Sequence, residues 1–163
     1  MLKYTIAFIL RGDEILMLNR NYEPGLGRWN GVGGKIEQGE TPLQGIIREI
    51  YEETGITVNE QNVSYTGAVT WVNEYEKSGM YAFIAEMPET FEYNTPIETD
   101  EGILCWKQKD WLFHPKNLGV LSHVPNFLPV MLSDKKLYEH CFSFNKGILS
   151  SYEKVPLGIE LMF

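Results

Sequence analysis

Residues 34–56 read GKIEQGETPLQGIIREIYEETGI, and the way this stretch separates its apolar from its acidic positions decides the fold. Thr41 and Gln44 stand at the spacing of a capping box, and Pro42 takes the first helical position, where a missing N–H loses no partner. Gly55 suits the left-handed residue that closes a helix. Leu43, Ile46, Ile47 and Ile50 recur at i, i+3, i+4 and i+7, so the spacing predicts a helix over 41–54 with one buried stripe.

On such a helix, advancing about 100° per residue, Glu49, Glu52 and Glu53 share a second face, roughly a third of a turn from the stripe. Like charges at that spacing oppose folding, and carboxylates near a helix C-terminus meet the unfavourable end of its dipole. A solvated acidic surface is one reading. The other is a bound cation, because the positions four residues after Glu49 and Glu52 hold Glu53 and Ile56 rather than Lys or Arg. Three carboxylates converging on one point would offer hard oxygen ligands suited to Mg²⁺ or Mn²⁺.

The rest of the chain narrows the setting. With 163 residues, 44% of them hydrophobic and 22% charged, it has the length of one domain and the composition of a soluble globular protein. The YTIAFIL run ends at Asp13 and Glu14, too short for a membrane span, and lacks the basic head and cleavage site of a secretion signal. A cytoplasmic protein with no membrane partner is expected. Cys105 and Cys141 lie far apart and outside any metal-ligand spacing, and His114, His123 and His140 are scattered, so free thiols and no zinc site are expected. The net charge of -8 argues against a nucleic-acid polymer as partner, and it means that a phosphate-bearing ligand needs a cation to approach.

Residues 3–10 and 15–18 read as a hairpin, followed by a polar loop from 20 to 29 that leads into GVGGK. Further strands are predicted at 63–72, 80–86, 103–108 and 138–144, with a loop over 94–102 and a second helix over 126–137 that has Pro129 near its start. Strands interleaved with two helices make the chain α/β or α+β.

Gly34, five residues, Glu40, seven residues, Arg48-Glu49-Ile50, one residue, Glu52-Glu53, one residue and Gly55-Ile56 match the Nudix box at every position. Seven fixed letters recur by chance less than about once in 10⁸ windows. The chain resembles the Nudix hydrolases, and RWNGVGGK before the box and ETDEGILCW after it extend the resemblance to the MutT-type branch. The resemblance covers residues 1–145 as one Nudix domain, with 146–163 as a C-terminal extension of the same domain and of unassigned role. It implies an α/β/α sandwich with a mixed sheet. It also implies hydrolysis of a nucleoside diphosphate linked to another group, with Mg²⁺ or Mn²⁺ and water, and a monomer or homodimer acting on a small nucleotide.

By the same resemblance Glu49 and Glu53 are metal ligands, Glu52 is a ligand through water or to a second ion, and Gly34 offers its carbonyl. Glu101, in TDEG, matches a further metal ligand. Arg48 is an orienting partner for a box glutamate, or a surface residue. Glu40 braces the loop, or is a plain N-terminal helix charge. The general base is Glu49 or Glu53, with Glu101 as the outside candidate. RNYEPGLGRWNG resembles the loop of oxidised-purine nucleoside triphosphatases, which places Asn30 on the purine base, where an amide offers both donor and acceptor. Trp29 is a stacking surface or a core residue, and Lys35 and Arg20 are candidates for phosphate contacts. The aspartate pair by which such an enzyme reads an oxidised base has no counterpart in LSHVPNFLP, which offers His123 and Asn126. Trp71 stands where ADP-ribose hydrolases carry a proline, and the SQPWPxS pattern of the NADH-type branch is absent. A Nudix-fold binding module without turnover is the competing class, but such modules lose box carboxylates and every one is present here.

Overall fold

The computed structural model describes residues 1–163. Its hairpin is β1 (Tyr4–Arg11) and β2 (Glu14–Arg20), paired antiparallel. Along β1, Ile6, Phe8 and Leu10 enter one apolar layer, while Ala7 and Ile9 enter the other. A strand buried on both faces belongs at the centre of a sheet covered on both sides. The sheet order is β10-β9-β5-β6-β1-β2-β8-β7, with β1 parallel to β6, β5 parallel to β9 and the other pairs antiparallel. Here β5 is Val63–Val72, β6 Lys77–Met87, β7 Ile97–Thr99, β8 Gly102–Gln108, β9 Tyr138–Asn145 and β10 Ile148–Pro156.

Helix α1 (Pro42–Thr54) covers one face. Its box closes as the spacing predicts: the Gln44 N–H donates to Thr41 Oγ1 at 3.1 Å and the Thr41 N–H to Gln44 Oε1 at 2.9 Å. Gly55 ends it at φ 75°, a backbone that costs other residues a steric penalty. Ile46 and Ile50 are fully buried, and Leu43 and Ile47 pack partly against the same layer.

The opposite face is covered by a short turn, α2 (Lys109–Leu112), and by α3 (Val124–Ser133), which buries Val124, Phe127, Leu128 and Met131. Helix α3 starts two residues before the predicted 126 and ends four before 137. Pro125 takes the first turn, where no N–H is needed, and Pro129 stands inside the helix rather than near its start. The α/β/α sandwich with a mixed sheet is therefore the fold.

Three segments differ from the sequence reading. Residues 94–102 contain β7, the loop predicted over 20–29 ends in β3 (Trp29–Asn30), which pairs with β2, and GVGGK, given no element by the sequence, supplies β4 (Val32–Lys35), which pairs with β1. Because β1 meets β4 through residues 4–7 and β2 through residues 9–11, the sheet forks there, and β4 meets the C-terminal half of α1, where the Gly33 N–H donates to Glu53. The C-terminal residues form the edge strand β10 and a tail. In that tail Leu157 and Leu161 are buried, Tyr65 Oη donates to the Leu161 carbonyl at 2.9 Å, and the Phe163 ring lies 4.6 Å from that of Tyr65. A chain ending at Asn145 loses this cover and is expected to be destabilised by at least about 3 kcal/mol, the scale of two buried leucines. Urea denaturation measures it.

Candidate active site

The strand-to-helix passage from β4 into α1 hydrogen-bonds four box residues to one guanidinium. Arg48 Nε and Nη2 donate to the two Glu40 oxygens at 2.6 and 3.0 Å. Its Nη1 donates to Glu49 Oε1 at 2.9 Å and to Glu52 Oε2 at 3.1 Å, while Nη2 also reaches the Lys35 carbonyl at 3.1 Å. Glu40 accepts the Glu37 N–H at 2.9 Å as well, so it braces the loop over 36–40 rather than serving as a bare helix charge. The Arg48 hydrogen bond holds the Glu40 carboxyl below its usual range.

This arrangement corrects the unrelieved acidic face expected from the i+4 positions. Arg48 precedes Glu49 by one residue and Glu52 by four, and it donates to both. Glu53 is the carboxylate left over. It is held by one neutral donor, the Gly33 N–H at 3.2 Å to Oε2. Burial first, then the charges of Glu49 and Glu101, push its pKa up to about 8, against the weaker pull of the Gly33 N–H and then of Arg20. Burial also raises Glu49, with Arg48 opposing. Two carboxyls in one half-buried corner are thus disfavoured as anions, the condition that a cation relieves.

The backbone beside them is open for close approach. A methyl group on Gly34 would stand 2.5 Å from Glu49 Oε1, so only glycine leaves the carboxylate where it is. The Gly34 carbonyl accepts from Thr5 Oγ1 at 3.3 Å. No three carboxylate, imidazole or thiol groups stand together as a finished metal cage, contrary to the expected convergence on one point, because Arg48 holds Glu49 and Glu52 on its own side. The donor set nonetheless fits a hard divalent ion: Glu49, Glu53, Glu101 and the Gly34 carbonyl would offer it oxygen donors only, and Glu53 has no cation in hydrogen-bond reach.

The remaining candidates divide. Glu101 is exposed in the turn before β8, and its backbone carbonyl accepts the Asn21 N–H at 2.9 Å, which ties the loop after β2 to the acidic corner. Lys35 ends β4 opposite Tyr4, and its ammonium makes no ion pair within the chain. Arg20 is turned toward its own loop, with Nε donating to the Pro24 carbonyl at 2.7 Å. Asn30 accepts the Gly31 N–H on Oδ1 at 2.8 Å, which leaves its NH₂ free. Trp29 packs against the α3-side core and edge-on against Trp111 at 6.2 Å, a core placement. Sequence reasoning missed Tyr4 and Trp71, whose rings stack at 6.5 Å beside β4. The alternation that sends Ile6 and Phe8 to the α3 side sends Tyr4 there too and could have found it.

The raised Glu53 carboxyl has a signed consequence. In the folded protein it keeps its proton between the ordinary value near 4.5 and about 8, so its contribution to stability is present below that window and is lost as pH rises through it. In chelator, wild-type Tm relative to Glu53→Gln is expected to fall steadily from pH 5.5 to 8.5. Saturating Mg²⁺ should reverse the trend in wild type only, as scanning calorimetry would record.

Residues 1–130 match the NUDIX domain family. Among curated proteins, the oxidized purine nucleoside triphosphate hydrolase of Mus musculus is 32% identical over 149 residues, 91% of either chain. An NAD-capped RNA hydrolase NudC of Haemophilus influenzae is 39% identical over 83 residues, 50% of this chain and 30% of that protein. Among solved structures, a mutator MutT protein from Bacillus halodurans superposes with a TM-score of 0.78 at 27% identity, over 94% of this chain and 97% of that one. A Methanosarcina mazei MutT protein does so at 0.61 and 22%, over 80% of this chain and 91% of that one. A family match that spans most of the chain, the long mouse alignment and the box geometry agree: this chain belongs to the Nudix family of hydrolases.

Proposed function

We propose that this hydrolase splits a purine nucleoside triphosphate into the monophosphate and pyrophosphate by attack of water on phosphorus. The observation that carries the reading is Glu53, a half-buried carboxyl without a cation partner, under the charges of Glu49 and Glu101 and bonded to the Gly33 N–H. Nudix hydrolases generally use divalent ions. Here Glu49, Glu53, Glu101 and the Gly34 carbonyl would hold Mg²⁺ or Mn²⁺, with Glu52 reaching it through water. Bound there, the ion supplies neutralisation of the phosphate oxygens and acidification of water.

The chain's own residues then have separate tasks. Arg48 keeps Glu49, Glu52 and the loop over 36–40 in register. Glu53 is the general base, its Oε2 fixed by the Gly33 N–H and its Oε1 left to take the water proton. No covalent nucleophile is required, since water forms the new P–O bond and pyrophosphate leaves with the old one. The exposed Lys35 ammonium suits the phosphates. The free Asn30 amide donates to a base acceptor, and the Tyr4–Trp71 pair offers an aromatic face for stacking. Support for a purine triphosphate comes from the mouse relative, alike along 91% of both chains.

Burial holds the His123 imidazole neutral, its pKa pushed down to about 4, and LSHVPNFLP carries no carboxylate to read the extra proton of an oxidised base. This favours a site that accepts ordinary and 8-oxo purines alike. A second reading, hydrolysis of another nucleotide such as ADP-ribose or a dinucleoside polyphosphate, draws on the NudC likeness, which is confined to half of this chain.

A Mg²⁺-dependent screen of dGTP, 8-oxo-dGTP, ADP-ribose and dinucleoside polyphosphates is expected to release pyrophosphate from the two triphosphates with kcat/KM values within about tenfold of each other. A large 8-oxo preference would contradict the account of the base site, and no turnover of any substrate would leave a binding module. Glu53→Gln should fold and lose at least about a hundredfold in turnover. Near-normal activity in that variant removes Glu53 from the mechanism.

A further inference from the structure

Strand β8 places Lys107 opposite Ile15 of β2, on the α3 side of the sheet. Its ammonium lies 4.7 Å from the Trp29 ring centroid and 4.6 Å from that of Trp111. The two indoles stand edge to face at 88°, so one cation occupies the corner between them. No carboxylate pairs with it.

The residue so held is the one before Asn30. Strand β3 is only two residues long, and its register on β2 is Asn19 with Trp29 and Leu18 with Asn30. The Trp29 N–H donates to the Gly119 carbonyl at 2.8 Å, and the Leu121 N–H donates to the Trp29 carbonyl at 3.0 Å. Trp29 thus joins β3 to the segment that leads into α3. A strand this short has few ladder bonds of its own, and beside the bonds to Gly119 and Leu121 the Trp29 ring holds it, gripped from across β2 by Lys107 of β8 and Trp111 of α2. The ring face that could have stacked on a base is taken by the chain's own cation.

We infer that Lys107 is a positioning residue for base recognition: through Trp29 it sets the placement of the Asn30 amide, and it does not touch the substrate. This rests on the purine triphosphatase reading of the same site. Attraction between an ammonium and an indole face depends on the charge and not on the aliphatic stem, so Lys107→Met keeps the packing and removes the grip, whereas Lys107→Arg keeps both.

For purine triphosphates, Lys107→Met is expected to raise KM about fivefold to tenfold with kcat within about twofold, and Lys107→Arg to restore KM to within about twofold. Inhibition by inorganic pyrophosphate, which has no base, should keep its wild-type Ki. Amide hydrogen exchange at Trp29 and Leu121 should quicken about tenfold in Lys107→Met, while the amides of α1 stay unchanged. An unchanged KM, a KM and a pyrophosphate Ki that rise together, or a failed rescue by Arg would each overturn the inference. Wild-type protein that turns over no nucleotide overturns the hydrolase reading instead. The exchange measurement then still decides the latch, and unaltered rates at Trp29 and Leu121 refute it.

Discussion

One guanidinium divides the acid of the Nudix helix into two populations. Arg48 satisfies Glu40, Glu49 and Glu52 at hydrogen-bond distance, and the Lys35 carbonyl completes its donor set. Glu53, one residue beyond Glu52, is out of its reach and receives a single backbone N–H. A carboxylate buried that way is costly as an anion. The cost is concentrated at one corner, where Glu101 arrives from the start of β8, and that corner is where added positive charge has the most to gain. The loop conformation and the electrostatics of the site therefore have one cause.

The fold holds this corner still. Helix α1 is fixed by a closed capping box, a glycine C-cap and two fully buried isoleucines, so its acidic face cannot roll. Strand β1, buried on both sides, sets β4 and hence Gly33 and Gly34 against that face. The fork separates Asn30, paired with Leu18 of β2, from Lys35, paired with Tyr4 of β1. The two sides of the site draw on different packing: the acidic corner on the α1 layer, and Trp29 with its neighbours on the α3 layer.

Much of this was legible in the residues. The bounds of β5 and α1, the cap at each end of α1 and the hairpin of β1 and β2 follow from periodicity and turn chemistry, because each is decided within a few residues. Strands β3 and β4 were not legible, since a two-residue strand and VGGK show no alternation and owe their pairing to β1 and β2. Strand β10 alternates poorly because it lies at the sheet edge with little burial, and Pro129 misled the start of α3 because Pro125 fills the same role earlier. At the site, the surplus of acid was visible, but helical spacing looked for its relief only at i+4, and the family resemblance gave Arg48 one glutamate partner. Arg48 supplies it from i-1 and i-4, and Glu40 joins only because the loop folds back. Nothing in the sequence singled out Lys107, since its indole partners are set by tertiary contacts.

The account turns on Glu53 being a carboxyl that resists ionisation until a divalent ion arrives. Carbon-13 NMR titration of the Glu53 side chain, first in chelator and then in saturating Mg²⁺, tests this directly. The expected result is a midpoint near 8 without metal and one below the ordinary carboxyl range with it. A midpoint close to 4.5 that Mg²⁺ leaves in place would contradict it.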